Sequence, residues 1–193
     1  MATTKTDLRA QRTDKAIRQA FEEMLMTGAT PIKVSALTQR AGINRKTFYL
    51  HYDTIEDLVD SYISDARADL LGRLGQHTPQ EFLANRGLLI NTLTDFFTAN
   101  QEFYSYIMFA DEYTALIRRF QDDITRTLAK SLSEATDLSF DDAALVLTFS
   151  CSTILTMLRM RLRGQTKMTP EEIREKSVAL NIGGLRGAMG LDV

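Results

Sequence analysis

The sequence predicts an all-α fold, and three observations support this prediction. Apolar residues recur at intervals of three and four positions along most of the chain, as expected for amphipathic helices. Alternating runs of β-branched residues, which would favour strands, are absent, and glycine and proline are scarce in the middle of the sequence. With 193 residues, 44% of them hydrophobic, the chain is long enough to bury a core in one or two small domains.

The first helix is predicted over residues 14–27. Ile17, Phe21 and Leu25 share one face at helical spacing, and Gly28 follows where a helix commonly ends in a left-handed residue.

Residues 34–41 and 45–52 predict two short helices joined by a tight turn. The apolar residues of the first share one face, and Gly42 follows in the terminating position. Asn44 is then a favourable N-cap for the second helix. Together with the first helix, they form a predicted three-helix head.

The second of these short helices is expected to have a buried and an exposed face. Phe48 and Tyr52 point inward in this prediction, while Arg45, Lys46 and Tyr49 point outward. The major groove of B-DNA, about 12 Å wide, admits one helix whose N-terminal side chains reach the base edges. The pattern therefore indicates a helix-turn-helix for double-stranded DNA.

The resemblance to a known family lies in residues 41–52, which read AGINRKTFYLHY and are followed by DTIEDL. This segment resembles the DNA-binding region of the tetracycline-repressor (TetR) family, with similarity over roughly residues 12 to 60. The resemblance implies an all-α protein with a helix-turn-helix head and a helical body for effector binding and dimerisation. It also implies a transcriptional regulator, most often a repressor, that binds a near-palindromic operator as a homodimer and is released by a small molecule.

The resemblance further implies a contact surface on and around the second short helix, with Thr47 and Tyr49 commonly at phosphates. Three positions differ from the family pattern: Lys33 replaces a frequent Ser or Thr cap, Lys46 a small residue or proline, and Ile55 a phosphate-binding lysine. We therefore expect no phosphate contact at Ile55 and a compensating role for the two lysines. The predicted DNA-binding residues are Lys33, Ser35, Asn44, Arg45, Lys46, Thr47, Tyr49, His51 and Tyr52.

The charges are unevenly distributed, although the whole chain has a formal charge of only −2. Residues 1–52 contain nine lysines and arginines against four acidic residues, a net +5, and the remainder contains 14 against 21, a net −7. A basic head on an acidic body directs the head towards DNA.

The remaining residues predict the helices of the body. A long helix spans about 55–74, and we place the boundary between a DNA-binding domain, 1–54, and the body, 55–193, at its start. Proline after a threonine cap starts helices at Thr78 and Thr169, and Ser139 caps a third. The helices at about 140–163 and 170–185 are predicted to form the homodimer interface.

Residues 143–158 carry no charge and are apolar nearly all round, so the helix that contains them must be covered on most sides. A membrane span needs about 20 apolar residues, more than this run provides. We therefore expect one side to face the core and the other a second subunit.

An effector pocket in the body is implied by the resemblance, and aromatic residues and methionine are typical pocket linings. Ordinary core packing is the alternative for the same residues. The predicted pocket residues are Phe97, Tyr104, Tyr106, Phe109, Tyr113 and Met157.

Two other functional classes are alternatives to a transcriptional regulator. A helical enzyme is disfavoured because the chain has two histidines and one cysteine, no metal-binding spacing and no glycine-rich phosphate loop, so no cofactor or metal is expected. A DNA-binding adaptor whose body recognises a protein stays open. Cys151 excludes an internal disulfide and, with a polar N-terminus lacking an apolar segment, predicts a cytoplasmic protein.

Overall fold

The structure, a computed structural model, describes residues 5–28, 31–99, 106–107 and 111–189. Over these residues it is helical and contains no strand, which confirms the predicted fold class. A short 3₁₀ helix at Asp111–Tyr113 precedes α7. The α-helices are α1 (Lys5–Met26), α2 (Val34–Arg40), α3 (Arg45–Phe48), α4 (Ile55–Leu74), α5 (Pro79–Ala84), α6 (Arg86–Ala99), α7 (Thr114–Ala135), α8 (Phe140–Leu162) and α9 (Pro170–Met189).

The chain divides into two compact units, Met1–Ser64 and Asp65–Val193, with the division inside α4. The sequence placed it at the start of α4 instead. The first turns of α4 belong to the N-terminal unit because Tyr62 packs on α1. Its ring stacks on that of Phe21 with centroids 5.8 Å apart, and its hydroxyl donates to the backbone oxygen of Arg18 at 3.1 Å.

Two helix boundaries in the N-terminal unit differ from the prediction. Helix α1 begins at Lys5, because residues 5–13 are mostly good helix formers without glycine or proline. Helix α3 ends at Phe48 rather than at Tyr52. Beyond it the amide of His51 donates to the oxygen of Phe48 at 2.9 Å, so the chain tightens from a four-residue to a three-residue hydrogen-bond step.

The C-terminal unit is built around α6, α7, α8 and α9. Helix α8 packs against α6, α7 and α9, and a buried cluster of small and branched residues joins α7 to α8. Thr78 forms the predicted capping box with Glu81, and Ser139 accepts a hydrogen bond from the backbone of α8. Helix α9 continues to Met189, beyond the predicted end at residue 185.

Helix α8 has one buried and one exposed side. Leu147, Ile154 and Leu158 are buried, whereas Leu145 is 53% and Phe149 39% exposed. The uncharged run of residues 143–158 is too short to span a membrane, but the whole of α8 is longer than this run. Among the described residues it alone is long and apolar enough to cross a membrane, although this test is also passed by core helices. Because α8 packs against three helices of the same unit, it is a core helix. Its remaining apolar side is uncovered in the single chain.

Candidate DNA-binding site

Gly42 sets the turn between α2 and α3. Its φ of +66° lies in the left-handed region, which side chains with a Cβ adopt at a cost. The amide of Gly42 donates to Gln39 at 3.3 Å and that of Ile43 to Thr38 at 3.0 Å. These two bonds close a Schellman motif, which ends α2 and redirects the chain as the sequence predicted.

Asn44 caps α3. Its side-chain oxygen accepts hydrogen bonds from the backbone amide of Thr47 at 2.8 Å and from the Thr47 hydroxyl at 3.1 Å. The cap gives the Thr47 amide, in the first helical turn, a side-chain acceptor in addition to the backbone oxygen of Asn44 at 3.0 Å. Asn44, predicted as a DNA-binding residue, therefore has its carbonyl group engaged in holding the helix.

Replacing Asn44 with alanine should lower the free energy of unfolding by about 1 kcal/mol, the typical contribution of an N-cap. Asn44→Asp retains a capping oxygen and should lose much less. Urea unfolding followed by circular dichroism measures both variants. Equal losses in the two would show that the cap is not what Asn44 contributes to stability.

Phe48 fixes α3 to the rest of the N-terminal unit. The side chain is fully buried, and its ring lies 5.6 Å from that of Tyr49 and 5.9 Å from that of Tyr52, centroid to centroid. Burial of an aromatic ring of this size is a large apolar contribution. Phe48 holds the inner side of α3 against the rest of the unit, and the opposite side of the helix is in solvent, as the sequence predicted.

Tyr52 lies on the inner side of the turn after α3. It is half-buried, and its hydroxyl donates to the carboxylate of Asp14 on α1. Burial, and then the hydrogen bond to Asp14, raise the pKa of Tyr52, so the hydroxyl stays protonated as a donor. The structure places this predicted DNA-binding residue in the internal packing of the unit.

Arg45 and Tyr49 form a pair on the exposed side of α3. The Nε and Nη2 atoms of Arg45 donate to the Tyr49 hydroxyl at 3.0 and 2.8 Å. The two residues are four positions apart, the spacing at which helical side chains meet. The guanidinium group is thus held at the surface.

Lys33, Ser35 and Lys46 are also exposed. Lys33 occupies the N-cap position of α2 without a side-chain cap hydrogen bond. In contrast, Arg40 is engaged within the unit, because its Nε and Nη2 atoms donate to Glu23 at 2.8 and 2.6 Å. This contact lowers the pKa of the Glu23 carboxyl. The basic charge of the unit is therefore only partly available to a ligand.

The other predicted contact residues are less open. Thr47 is half-buried, with its hydroxyl turned to Asn44, and His51 is half-buried with its ring 6.4 Å from that of Tyr52. Ile55, where no phosphate contact was expected, is buried.

Leu50 is a residue that the sequence prediction missed. Its side chain is 83% exposed, beside Tyr49 at 42%. The predicted contacts include only polar and aromatic side chains. A step of two residues from Phe48, which places Leu50 on the opposite side of a helical turn, was the signal available in the sequence.

The predicted pocket residues fall in several places. Phe97 and Tyr113 are buried, Tyr106 is exposed, and the Met157 sulfur accepts a hydrogen bond from the Ser177 hydroxyl at 3.1 Å. Tyr104 and Phe109 lie outside the described residues. The structure thus shows Phe97 and Tyr113 in the core of the C-terminal unit.

Cys151 on α8 has the properties of a packing residue. Burial raises the pKa of its thiol to about 12, so the reactive thiolate is not populated near neutral pH.

Comparison with solved structures reveals the same architecture in two regulators. One is a transcriptional regulator of the TerR/AcrR family from Aquifex aeolicus VF5, with 17% sequence identity, a TM-score of 0.59 and coverage of 86% of this chain and 96% of that chain. The other is the fatty acid degradation regulator FadR from Bacillus halodurans, with 16% identity, a TM-score of 0.66 and coverage of 96% and 99%. Neither a protein-family model nor a curated protein matches the chain. At these identities the similarity establishes a shared fold.

Proposed function

We propose that this chain, which has the fold of TetR/AcrR-type transcriptional regulators, is itself a DNA-binding transcriptional regulator. It acts as a homodimer, most simply as a repressor, on a near-palindromic operator. One observation carries this proposal: α3 follows a glycine turn, rests on a buried Phe48, and exposes Arg45, Lys46 and Tyr49 side by side. A helix with that arrangement suits the major groove.

The contact surface that we propose consists of Lys33, Ser35, Arg45, Lys46 and Tyr49, all exposed. Lysine and arginine neutralise phosphates and read base edges, and the hydroxyl groups donate to phosphate oxygens. Thr47 and His51 are half-buried and contribute at the edge of this surface. Asn44 and Tyr52 support it through the hydrogen bonds that they make within the unit.

Electrostatics supports the same orientation on DNA. Residues 1–52, which contain α1 to α3, carry a net +5 and the rest of the chain a net −7, so phosphate attracts the part of the N-terminal unit that carries the proposed contact surface. Within the described part of the chain, Lys33 and Lys46 form no ion pair with an acidic residue. They are free to displace counterions from the duplex.

The proposed dimer interface is the exposed side of α8 together with α9. Leu145 and Phe149 on α8 and Leu180 on α9 are large apolar residues in solvent, and the two helices meet closely at Gly184. A Cβ added to Gly184 would lie 2.9 Å from Cζ of Phe149, so glycine permits this approach. A two-fold dimer would cover the same face on both protomers.

We further propose that the C-terminal unit binds a small effector that releases the protein from DNA and that the protein is cytoplasmic. The dimer has conformations that differ in the distance between its two N-terminal units. An effector acts by binding the conformation that does not fit DNA more tightly than the one that does. In the alternative, an adaptor, the body binds a protein partner instead. Stabilisation of the purified dimer by a member of a metabolite library distinguishes the two.

Selection from a randomised duplex library should yield a near-palindromic sequence with half-sites one helical turn apart, roughly 34 to 36 Å, or a small multiple of that. Binding to the selected duplex should weaken steeply with salt, with a slope of about −0.9 for each phosphate neutralised. Fluorescence anisotropy over a series of salt concentrations measures this slope. A protein that ignores every duplex even at low ionic strength would contradict the proposed function.

A further inference from the structure

Leu50 is the most exposed of the large hydrophobic residues among the described residues, at 83%. A leucine gains roughly 1.5 to 3 kcal/mol from full burial, and at this position it gains little of that within the protein. A polar residue would serve the fold equally well. The side chain is therefore available to a partner.

The backbone around Leu50 fixes where its side chain points. The amide of Leu50 donates to Thr47 at 3.3 Å, and the next two amides, of His51 and Tyr52, both donate to Phe48, at 2.9 and 3.0 Å. Phe48 on one side and Tyr52 on the other are held inward by burial and by the bond to Asp14. Leu50, two residues from each, is directed outward.

The neighbours of Leu50 define the chemistry of this surface. Arg45, Lys46 and Tyr49 are exposed on the same short helix and its turn, so the leucine is an apolar group beside cationic and phenolic ones. In the major groove the base edges present hydrogen-bond donors and acceptors and one apolar group, the C5-methyl of thymine. Deoxyribose is the other apolar surface of DNA, but it carries no sequence information.

We propose that Leu50 is a specificity-determining residue that packs against the C5-methyl group of one thymine in each half-site. This inference rests on the proposed function as a DNA-binding dimer. In this proposal Leu50 and Arg45 both contribute to base recognition, Leu50 through an apolar contact and Arg45 through hydrogen bonds.

Deoxyuridine substitution tests the proposal, because uracil differs from thymine only by the missing methyl group. In the operator selected with the wild-type protein, each thymine is replaced in turn, symmetrically in both half-sites. At one position the replacement should weaken wild-type binding about fourfold per half-site, the effect of one buried methyl-sized group. Leu50→Ala should bind the thymine and uracil duplexes there with equal affinity.

Two variants serve as controls. Leu50→Met keeps an apolar side chain and should keep part of the thymine preference, whereas Lys46→Ala should weaken both duplexes equally and leave the ratio unchanged. Circular dichroism and the sedimentation coefficient check that each variant is folded and has the wild-type oligomeric state.

The outcomes separate this inference from the proposed function. If wild-type protein binds duplexes with the expected salt dependence but no thymine methyl matters, Leu50 does not read thymine. If Leu50→Ala retains the full thymine preference, the inference is overturned. It is also overturned if Leu50→Ala loses the same affinity for all sequences, a result that would indicate contact between Leu50 and a sugar. If the wild type binds no duplex at all, the proposed function fails and this inference fails with it.

Discussion

Replacing Leu145 with glutamate is expected to convert the proposed dimer into monomers and to weaken operator binding by about 10² to 10⁴-fold. Leu145 is 53% exposed in the single chain and lies near Phe149 on the uncovered side of α8. In a two-fold interface the substitution buries two carboxylates without partners, which costs several kcal/mol for each charge. Once the protomers separate, the second head no longer benefits from the high effective concentration that linkage gives it.

Sedimentation equilibrium measures the mass of the assembly, and a gel-shift titration with the two-half-site duplex measures affinity. Thr127→Glu is the matched control, because it adds the same charge at an exposed position of α7. It should remain dimeric with nearly unchanged affinity. A Leu145→Glu protein that is still a dimer and binds the operator as the wild type does would show that the interface lies elsewhere.

A substitution at Leu180 extends the same argument to α9. Leu180 is 53% exposed on the helix that approaches α8 at Gly184. If the two helices form one continuous interface, glutamate at Leu180 should also dissociate the dimer. Both substitutions weaken operator binding by separating the protomers. If one of them already makes the protein monomeric, combining Leu145→Glu with Leu180→Glu should cause no further loss of operator affinity.

Local chemistry explains which parts of the fold the sequence predicted well. The starts of α5 and α8 are fixed by Thr78 and Ser139, whose side chains cap amides only three residues away. The turn at Gly42 likewise depends on the φ of one residue. Interactions of this range are visible in a short segment of sequence, so the predicted starts of both helices and the turn agree with the structure.

Contacts between distant residues explain what the sequence did not predict. The Tyr52 hydroxyl meets Asp14, 38 positions earlier, and Tyr62 in α4 packs on Phe21 in α1. Periodicity places such side chains on an inner face but does not pair them. The position of the division inside α4 follows from the second contact.

Leu50 illustrates a different limit of sequence reasoning. The predicted DNA contacts include only polar and aromatic side chains, and Leu50 is not among them. The tight turn after Phe48 keeps Leu50 outside while Tyr52 returns to the inner side. The two-residue step from Phe48 in the sequence indicates the outward direction of Leu50, whereas the exposed fraction of its side chain depends on that local geometry.

Arg45→Ala and Lys46→Ala are expected to have different effects on DNA recognition, although each removes one positive charge from the same helix. The Arg45 guanidinium is held by the Tyr49 hydroxyl through Nε and Nη2, at 3.0 and 2.8 Å, so it reaches the groove with its orientation restricted. A planar fork of donors can bind both acceptors of guanine, a contact that distinguishes bases by about 1 to 3 kcal/mol. Lys46 is exposed and acts as a point charge towards phosphate.

Arg45→Ala should therefore relax base preference at one position of each half-site, with a loss of roughly 5- to 150-fold on the preferred base and little on the others. Lys46→Ala should weaken binding to all sequences alike and reduce the salt slope by about one per half-site. Competition titrations against duplexes that carry every base at each operator position measure both effects. Arg40→Ala removes a charge that is already paired with Glu23 and should leave the base preference unchanged. A uniform loss for Arg45→Ala would assign that side chain to phosphate and leave base reading to other residues of the surface.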